Sequence, residues 1–156
     1  GTENVPGIVG MGAAAELARK WLNSSLGPEC LTPPQLVERR NRLEREILTR
    51  IADTHVNGCT AARLPNTTNI GFARLEAEAI LLLLSEQNIC ASAGAACSSG
   101  SLEPSHVLKA MQIDPKIAHG AIRFSLSRYT TDEEIEKTLE VFPGVIQRLR
   151  AVLPVG

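Results

Sequence analysis

Aromatic residues are scarce in this chain: Phe, Tyr and Trp together make up 3% of 156 residues. So few rings predict a core of aliphatic side chains, and they exclude the stacking platforms with which many RNA-binding domains hold unpaired bases. Long hydrophobic runs are missing too. The longest wholly apolar stretch, Ala79 to Leu84, falls far short of the roughly 20 residues that cross a bilayer, so no membrane partner is expected. Net charge is small: 16 Lys and Arg against 17 Asp and Glu leave a formal -1, too little for long-range attraction to nucleic acid or anionic lipid. None of the four cysteines, Cys30, Cys59, Cys90 and Cys97, forms a C-x-x-C pair, and His55, His106 and His119 stand singly. Zinc-binding spacing is therefore absent. No signal or transit pattern opens the chain, which predicts a reducing cytoplasm and free thiols. The first residue is Gly1 rather than methionine, as expected of a processed chain or a piece of a longer one.

What is present reads as helices alternating with short strands. The chain has the length of one domain and, at 44% hydrophobic residues, the composition of a packed core. Asn4 can cap a first helix with Pro6 in its first turn, running to about Leu22. Thr32-Pro33-Pro34-Gln35 is a capping box with proline at the first helical position. From there Leu36, Arg40, Leu43, Ile47 and Ile51 follow a helical period, the aliphatic ones as a buried stripe against a solvated Arg/Glu face. "THVNG" and "TTNIGFA" are strand-like. Leu75 to about Gln87 is a helix apolar nearly all round after Ala79, and so predicted to be deeply buried. "NICASA" is a short strand, and "EPSHVLKAM" starts a helix with Pro104 in its first turn. "GAIRFSLS" alternates, with Ile122, Phe124 and Leu126 on one face and Ala121, Arg123, Ser125 and Ser127 on the other. Thr131-Asp132-Glu133-Glu134 opens a last helix, lined inside by Ile135, Leu139, Phe142, Ile146, Leu149 and Leu153, which Pro143-Gly144 should kink or split. The sum is an α/β fold of the α+β kind, with a small, mostly antiparallel sheet of about three or four strands covered by helices.

Between these elements lies "ASAGAACSSGS", residues 91–101: two glycines, four serines, four alanines and Cys97, with no large apolar side chain. Such a composition opposes regular structure and predicts a mobile segment around Ala95 to Ser101. A thiol there is exposed, which is half of what reactivity requires. The other half is thiolate character, for which the helix beginning near Pro104 offers positive potential. Residue types alone leave a nucleophile and an ordinary surface thiol both open.

Four stretches together resemble the C-terminal part of a cysteine desulfurase: "GTENVPGIVGMGAAAELA", "RLPNTTNI", "SAGAACSSGSLEPSHVLKAM" and "AHGAIRFSLSRYTTDEEI". The resemblance runs from Gly1 to about Leu149 and is strongest to the NifS branch. A cysteine followed by "SSGSLEPSHVL" marks the long-loop class. The resemblance implies a fold-type I homodimer dependent on pyridoxal phosphate (PLP), which acts as electron sink. It converts L-cysteine to L-alanine and leaves a persulfide on Cys97, which a mobile loop carries to an iron–sulfur scaffold of the NifU-like kind. It also implies that Arg123 binds the substrate carboxylate, with Arg128 as the fallback, that Thr2 reaches the PLP phosphate of the neighbouring subunit, and that Cys97 transiently shares an iron–sulfur cluster with the scaffold. Residues 1–30 would be the connecting helix from a larger PLP domain, and 31–156 the small C-terminal domain, with its cysteine loop at 91–103.

One feature of the family is absent. Its PLP lysine stands in a Ser-x-His-Lys stretch, and none of Lys20, Lys109, Lys116 and Lys137 has that context. The chain alone is therefore expected to be inactive, whereas the complete protein is expected to be an enzyme. Two other readings remain open: a stand-alone sulfur-carrier or scaffold-docking module, and a redox sensor in which Cys90 resolves oxidised Cys97.

Overall fold

The computed structural model describes residues 2–58, 62–93 and 104–152. In chain order its elements are α1 (Val5–Leu22), α2 (Pro33–Arg50), β1 (Thr54–Val56), β2 (Thr67–Phe72), α3 (Ala77–Glu86), α4 (His106–Ala110), α5 (Pro115–Ala118), β3 (Ala121–Ser125) and α6 (Asp132–Val152).

Helix starts follow the local chemistry. Asn4 Oδ1 accepts the Gly7 N–H at 3.0 Å and opens α1. The Thr32 N–H and hydroxyl both donate to Gln35 Oε1 at 2.9 Å ahead of α2. The second box is reciprocal: the Thr131 N–H donates to Glu134 Oε2 at 2.8 Å, and the Glu134 N–H to Thr131 Oγ1 at 3.2 Å. Pro104 precedes the α4 cap, Ser105, rather than entering the first turn. The short α5 escaped the sequence reading although its start is conventional, with Asp114 accepting the Lys116 N–H ahead of Pro115.

β1, β2 and β3 form one antiparallel sheet in that order. "NICASA" contributes only an isolated bridge, Ser92 to Arg123, rather than a strand. One sheet face turns Ile70, Phe72, Ile122 and Phe124 toward α2, α3 and α6, where Leu36, Leu43, Ile47, Ile80, Leu84, Leu139 and Ile146 complete the core. That core is less purely aliphatic than composition predicts. Phe142 meets Phe72 and Phe124 edge-to-face, with ring centroids 5.1 and 5.5 Å apart, so all three phenylalanines gather at its centre. The other face is partly covered by α4 and α5 through Leu108, Ile113, Ala118 and Ala121. Gly71 is required there, because a Cβ would stand 2.2 Å from Ile117 Cγ2.

Three expectations give way to tertiary context. α3 is not buried all round: Ala77, Ile80 and Leu84 face the core, while Leu82 is 65% exposed. A single helix face meets the sheet, and continuing the apolar run around the cylinder does not change that. Arg40 keeps its place in the α2 stripe but is itself buried, at 6% exposure, donating to the Leu64 and Thr67 carbonyls at 3.0 and 3.4 Å. Of the kink or split expected at Pro143-Gly144, the split does not occur: α6 runs unbroken from Asp132 to Val152. Proline cannot bond the carbonyl four residues back, that of Leu139, and Arg50 Nη1 donates to that oxygen at 3.1 Å instead.

Candidate functional site

Strand parity separates core from site. Alternation that sends Ile70 and Ile122 inward sends Asn69 and Arg123 to the opposite face. Register aligns them in one row: Asn69 pairs with Arg123 across β2 and β3, and the Asn57 N–H donates to the Asn69 carbonyl at 2.9 Å just beyond β1. Ser92 extends the row on the far side, exchanging both backbone hydrogen bonds with Arg123 at 3.2 and 2.7 Å. The result is a polar band, Asn57–Asn69–Arg123–Ser92, beside the apolar patch covered by α5.

Arg123 is half-buried. Its Nε is buried without a hydrogen-bond partner, and among the described residues no carboxylate forms an ion pair with its guanidinium. The contrast lies in carboxylate pairing: Arg39 binds Asp132 through two bonds of 2.7 and 2.6 Å, and Arg63 holds Glu44 at 2.7 and 3.0 Å. A cation on a sheet face with an orphaned buried nitrogen has the chemistry of an anion receptor whose anion comes from elsewhere. Arg128, the fallback, lies past the strand end, with its guanidinium 5.1 Å from the Tyr129 ring centroid.

The neighbouring Asn57 is buried, at 8% exposure, and its Nδ2 donates to Asn69 Oδ1 at 2.7 Å. Sequence reading passed over this pair. The signal was available in the outward parity of Asn69 within "TTNIGF", on the face that carries Arg123. On the core side of β2 the Thr68 hydroxyl donates to Glu44 Oε2 at 2.5 Å, tying the strand to α2. Burial acts to raise the Glu44 carboxyl. The hydrogen bonds from Arg63 and Thr68, with the charges of Arg63 and Arg40, outweigh it and hold the group below the usual carboxylate range.

Of the remaining expected site residues, the structure describes Thr2 but not Cys97. Thr2 is exposed ahead of α1, a helix with no buried residue. Cys97 and the whole Ala95–Ser101 segment lie outside the described residues, as does Cys59. Cys30 is half-buried and Cys90 exposed, both as free thiols. Among the described residues no three His, Cys, Asp or Glu side chains gather to hold a metal.

The lysines decide how far a PLP site can be built here. Lys20, Lys109, Lys116 and Lys137 are all exposed, on α1, α4, α5 and α6, and none shares the row with Arg123. Among the described residues no lysine is placed to form a Schiff base with PLP beside Arg123, so the covalent anchor of that cofactor is not made by them.

The cysteine desulfurase of Trichormus azollae is 53% identical over 154 residues, covering 99% of this chain and 37% of that protein. The cysteine desulfurase of Klebsiella pneumoniae is 49% identical over 154 residues, again 99% of this chain and 37% of the relative. The chain thus spans little more than a third of the curated relatives it matches. Among solved structures, a NifS-like protein superposes with a TM-score of 0.77 at 30% identity, over 96% of this chain and 35% of the other. The NifS-like protein of Rickettsia africae ESF-5 gives a TM-score of 0.75 at 31% identity, over 94% and 36%. The family model for aminotransferase class-V matches residues 1–138, and with that match the chain belongs to the aminotransferase class-V family.

Proposed function

We propose that this chain is the substrate-carboxylate and sulfur-accepting part of a PLP-dependent cysteine desulfurase. The observation that carries the reading is Arg123: a guanidinium without an acid partner among the described residues, with its Nε orphaned, on the strand position bridged to Ser92. A planar fork of donors suits an α-carboxylate, and the small residues beside it leave room for an amino acid. The Cys97 segment follows Ser92 closely along the sequence. Cys97 is five residues beyond Ser92, so its Cα lies within about 18 Å of the Ser92 Cα. The tether lets one thiol reach a substrate held by Arg123 and then a partner's surface.

PLP, whose covalent anchor is not among the described lysines, would supply the electron sink of the reaction. The chain's own contribution balances without an added oxidant: L-cysteine and the Cys97 thiol give L-alanine and a Cys97 persulfide. The sulfur–sulfur bond forms as the substrate's carbon–sulfur bond breaks, and the carbon takes up a proton. The likeness to the NifS branch supports the finer assignments: residues 1–30 as a connecting helix and 31–156 as a small domain, a cytoplasmic homodimer in which Thr2 reaches the partner's PLP phosphate, and a NifU-like scaffold as sulfur acceptor for nitrogenase clusters, with Cys97 as a transient cluster ligand.

Intact mass of the full-length protein after L-cysteine tests the reading. One added sulfur, lost in Cys97→Ala, is expected. Loss of two hydrogens would favour a Cys90–Cys97 redox sensor, and an unchanged mass would sink the sulfur-transfer reading.

A further inference from the structure

Asn69 Oδ1 is occupied by Asn57, and strand order determines what that does to the rest of the amide. β2 lies between β1 and β3. Asn57 follows β1 and binds Asn69 Oδ1 from that side at 2.7 Å. A carboxamide is planar, with oxygen and nitrogen on opposite sides of its axis. Holding the oxygen toward β1 turns Nδ2 toward β3, where Arg123 is the register partner. Paired residues on one sheet face have Cβ atoms about 5 Å apart. Arg123 Nε agrees with this orientation: an Asn69 oxygen facing β3 would be an acceptor beside it, and Nε has none. Two groups of donors thus belong to paired positions on one sheet face, and neither meets an acceptor among the described residues.

We infer that Asn69 is a second carboxylate-binding residue, its Nδ2 donating beside the Arg123 fork, and that Asn57 is the positioning residue that sets the amide's direction. The inference rests on the proposed role of Arg123 and goes beyond it. A guanidinium alone attracts any anion, whereas a guanidinium plus a fixed amide N–H favours a planar two-oxygen acceptor over a thiolate or a halide. The burial of Asn57 also acquires a reason, since a polar side chain is withdrawn from water to orient another.

The test uses the full-length holoenzyme with L-cysteine as the probe, comparing Arg123→Ala, Asn69→Ser, Asn57→Asp and the Asn57→Asp/Asn69→Ser double variant. Aspartate at position 57 can only accept, so it draws Asn69 Nδ2 back toward β1 and presents Oδ1 to the carboxylate. Asn69→Ser and Asn57→Asp should each raise KM about tenfold, the size of one lost hydrogen bond to a charged group, with kcat within about twofold. The double variant should be no worse than the worse single, because Asn57 acts only through Asn69. Asn69→Ser keeps a small polar residue on the strand and tests the idea even if Asn57→Asp folds poorly. An unchanged KM in Asn69→Ser beside a raised KM in Arg123→Ala overturns the Asn69 assignment alone. An unchanged KM in Arg123→Ala overturns the carboxylate site together with it. Additive losses in the double variant overturn the positioning role of Asn57.

Discussion

Glu44 shows how a single residue couples burial to pH. Its carboxylate takes two bonds from Arg63 and one from Thr68, with both side chains of the ion pair only 13–14% exposed. Because its native carboxyl is held below the ordinary value of 4.5, it contributes stability that is fully present above that value. The contribution is lost as pH falls through the lower native one. The thermal unfolding midpoint of the protein should therefore fall below about pH 4.5, and Glu44→Gln should show a shallower acid-side decline. Removing Arg63 leaves the sheltered carboxylate short of its main partner. Arg63→Ala should cost on the order of 3 kcal/mol in denaturant unfolding, well above the effect of deleting the exposed Arg19–Glu16 pair.

At the scale of the element, α6 tolerates Pro143 because a neighbouring helix supplies the missing donor. Arg50 at the end of α2 bonds the buried Leu139 carbonyl, so the helix avoids one unsatisfied acceptor. This predicts a coupling. Arg50→Ala should cost about 1–2 kcal/mol in the native background, and distinctly less in Pro143→Ala, where alanine restores a backbone N–H that can take over the carbonyl. Chemical denaturation of the four proteins measures the difference. Equal costs in both backgrounds would mean that Arg50 acts through its Glu46 pair rather than through the carbonyl.

For the molecule as a whole, α1 is the conspicuous element. Val5, Ile8, Val9, Met11 and Leu22 are all more than half exposed, and within this helix only Trp21, whose Nε1 donates to the Leu31 carbonyl at 2.5 Å, packs toward the core. Apolar surface on that scale is usually covered by something. The 156-residue chain by itself should self-associate with rising concentration in sedimentation or size exclusion, and Ile8→Ser with Val9→Ser should shift it toward monomer. With every lysine out on a helix surface, the same preparation should be colourless. It should retain no PLP aldimine absorbance once unbound cofactor is removed, and form no L-alanine from L-cysteine. A yellow, active preparation would relocate the cofactor anchor to this chain.

Sequence by itself determined what depends on neighbours along the chain. Caps at Asn4, Thr32 and Thr131, strand parity in "GAIRFSLS", and the aliphatic period from Leu36 to Ile51 rest on contacts within a few residues, and these elements form where the pattern puts them. Tertiary structure decided whatever needs a partner from far away. That Leu82 stays in water while Leu84 does not follows from which helix face meets the sheet. The survival of α6 at Pro143 comes from Arg50, 89 positions before the Leu139 carbonyl it bonds. The orphaned Nε of Arg123 becomes visible only when β2 sets Asn69 rather than an acid beside it. Residue types name the groups a site can use; the strand order fixes which of them face one another, and hydrogen-bond direction follows from that.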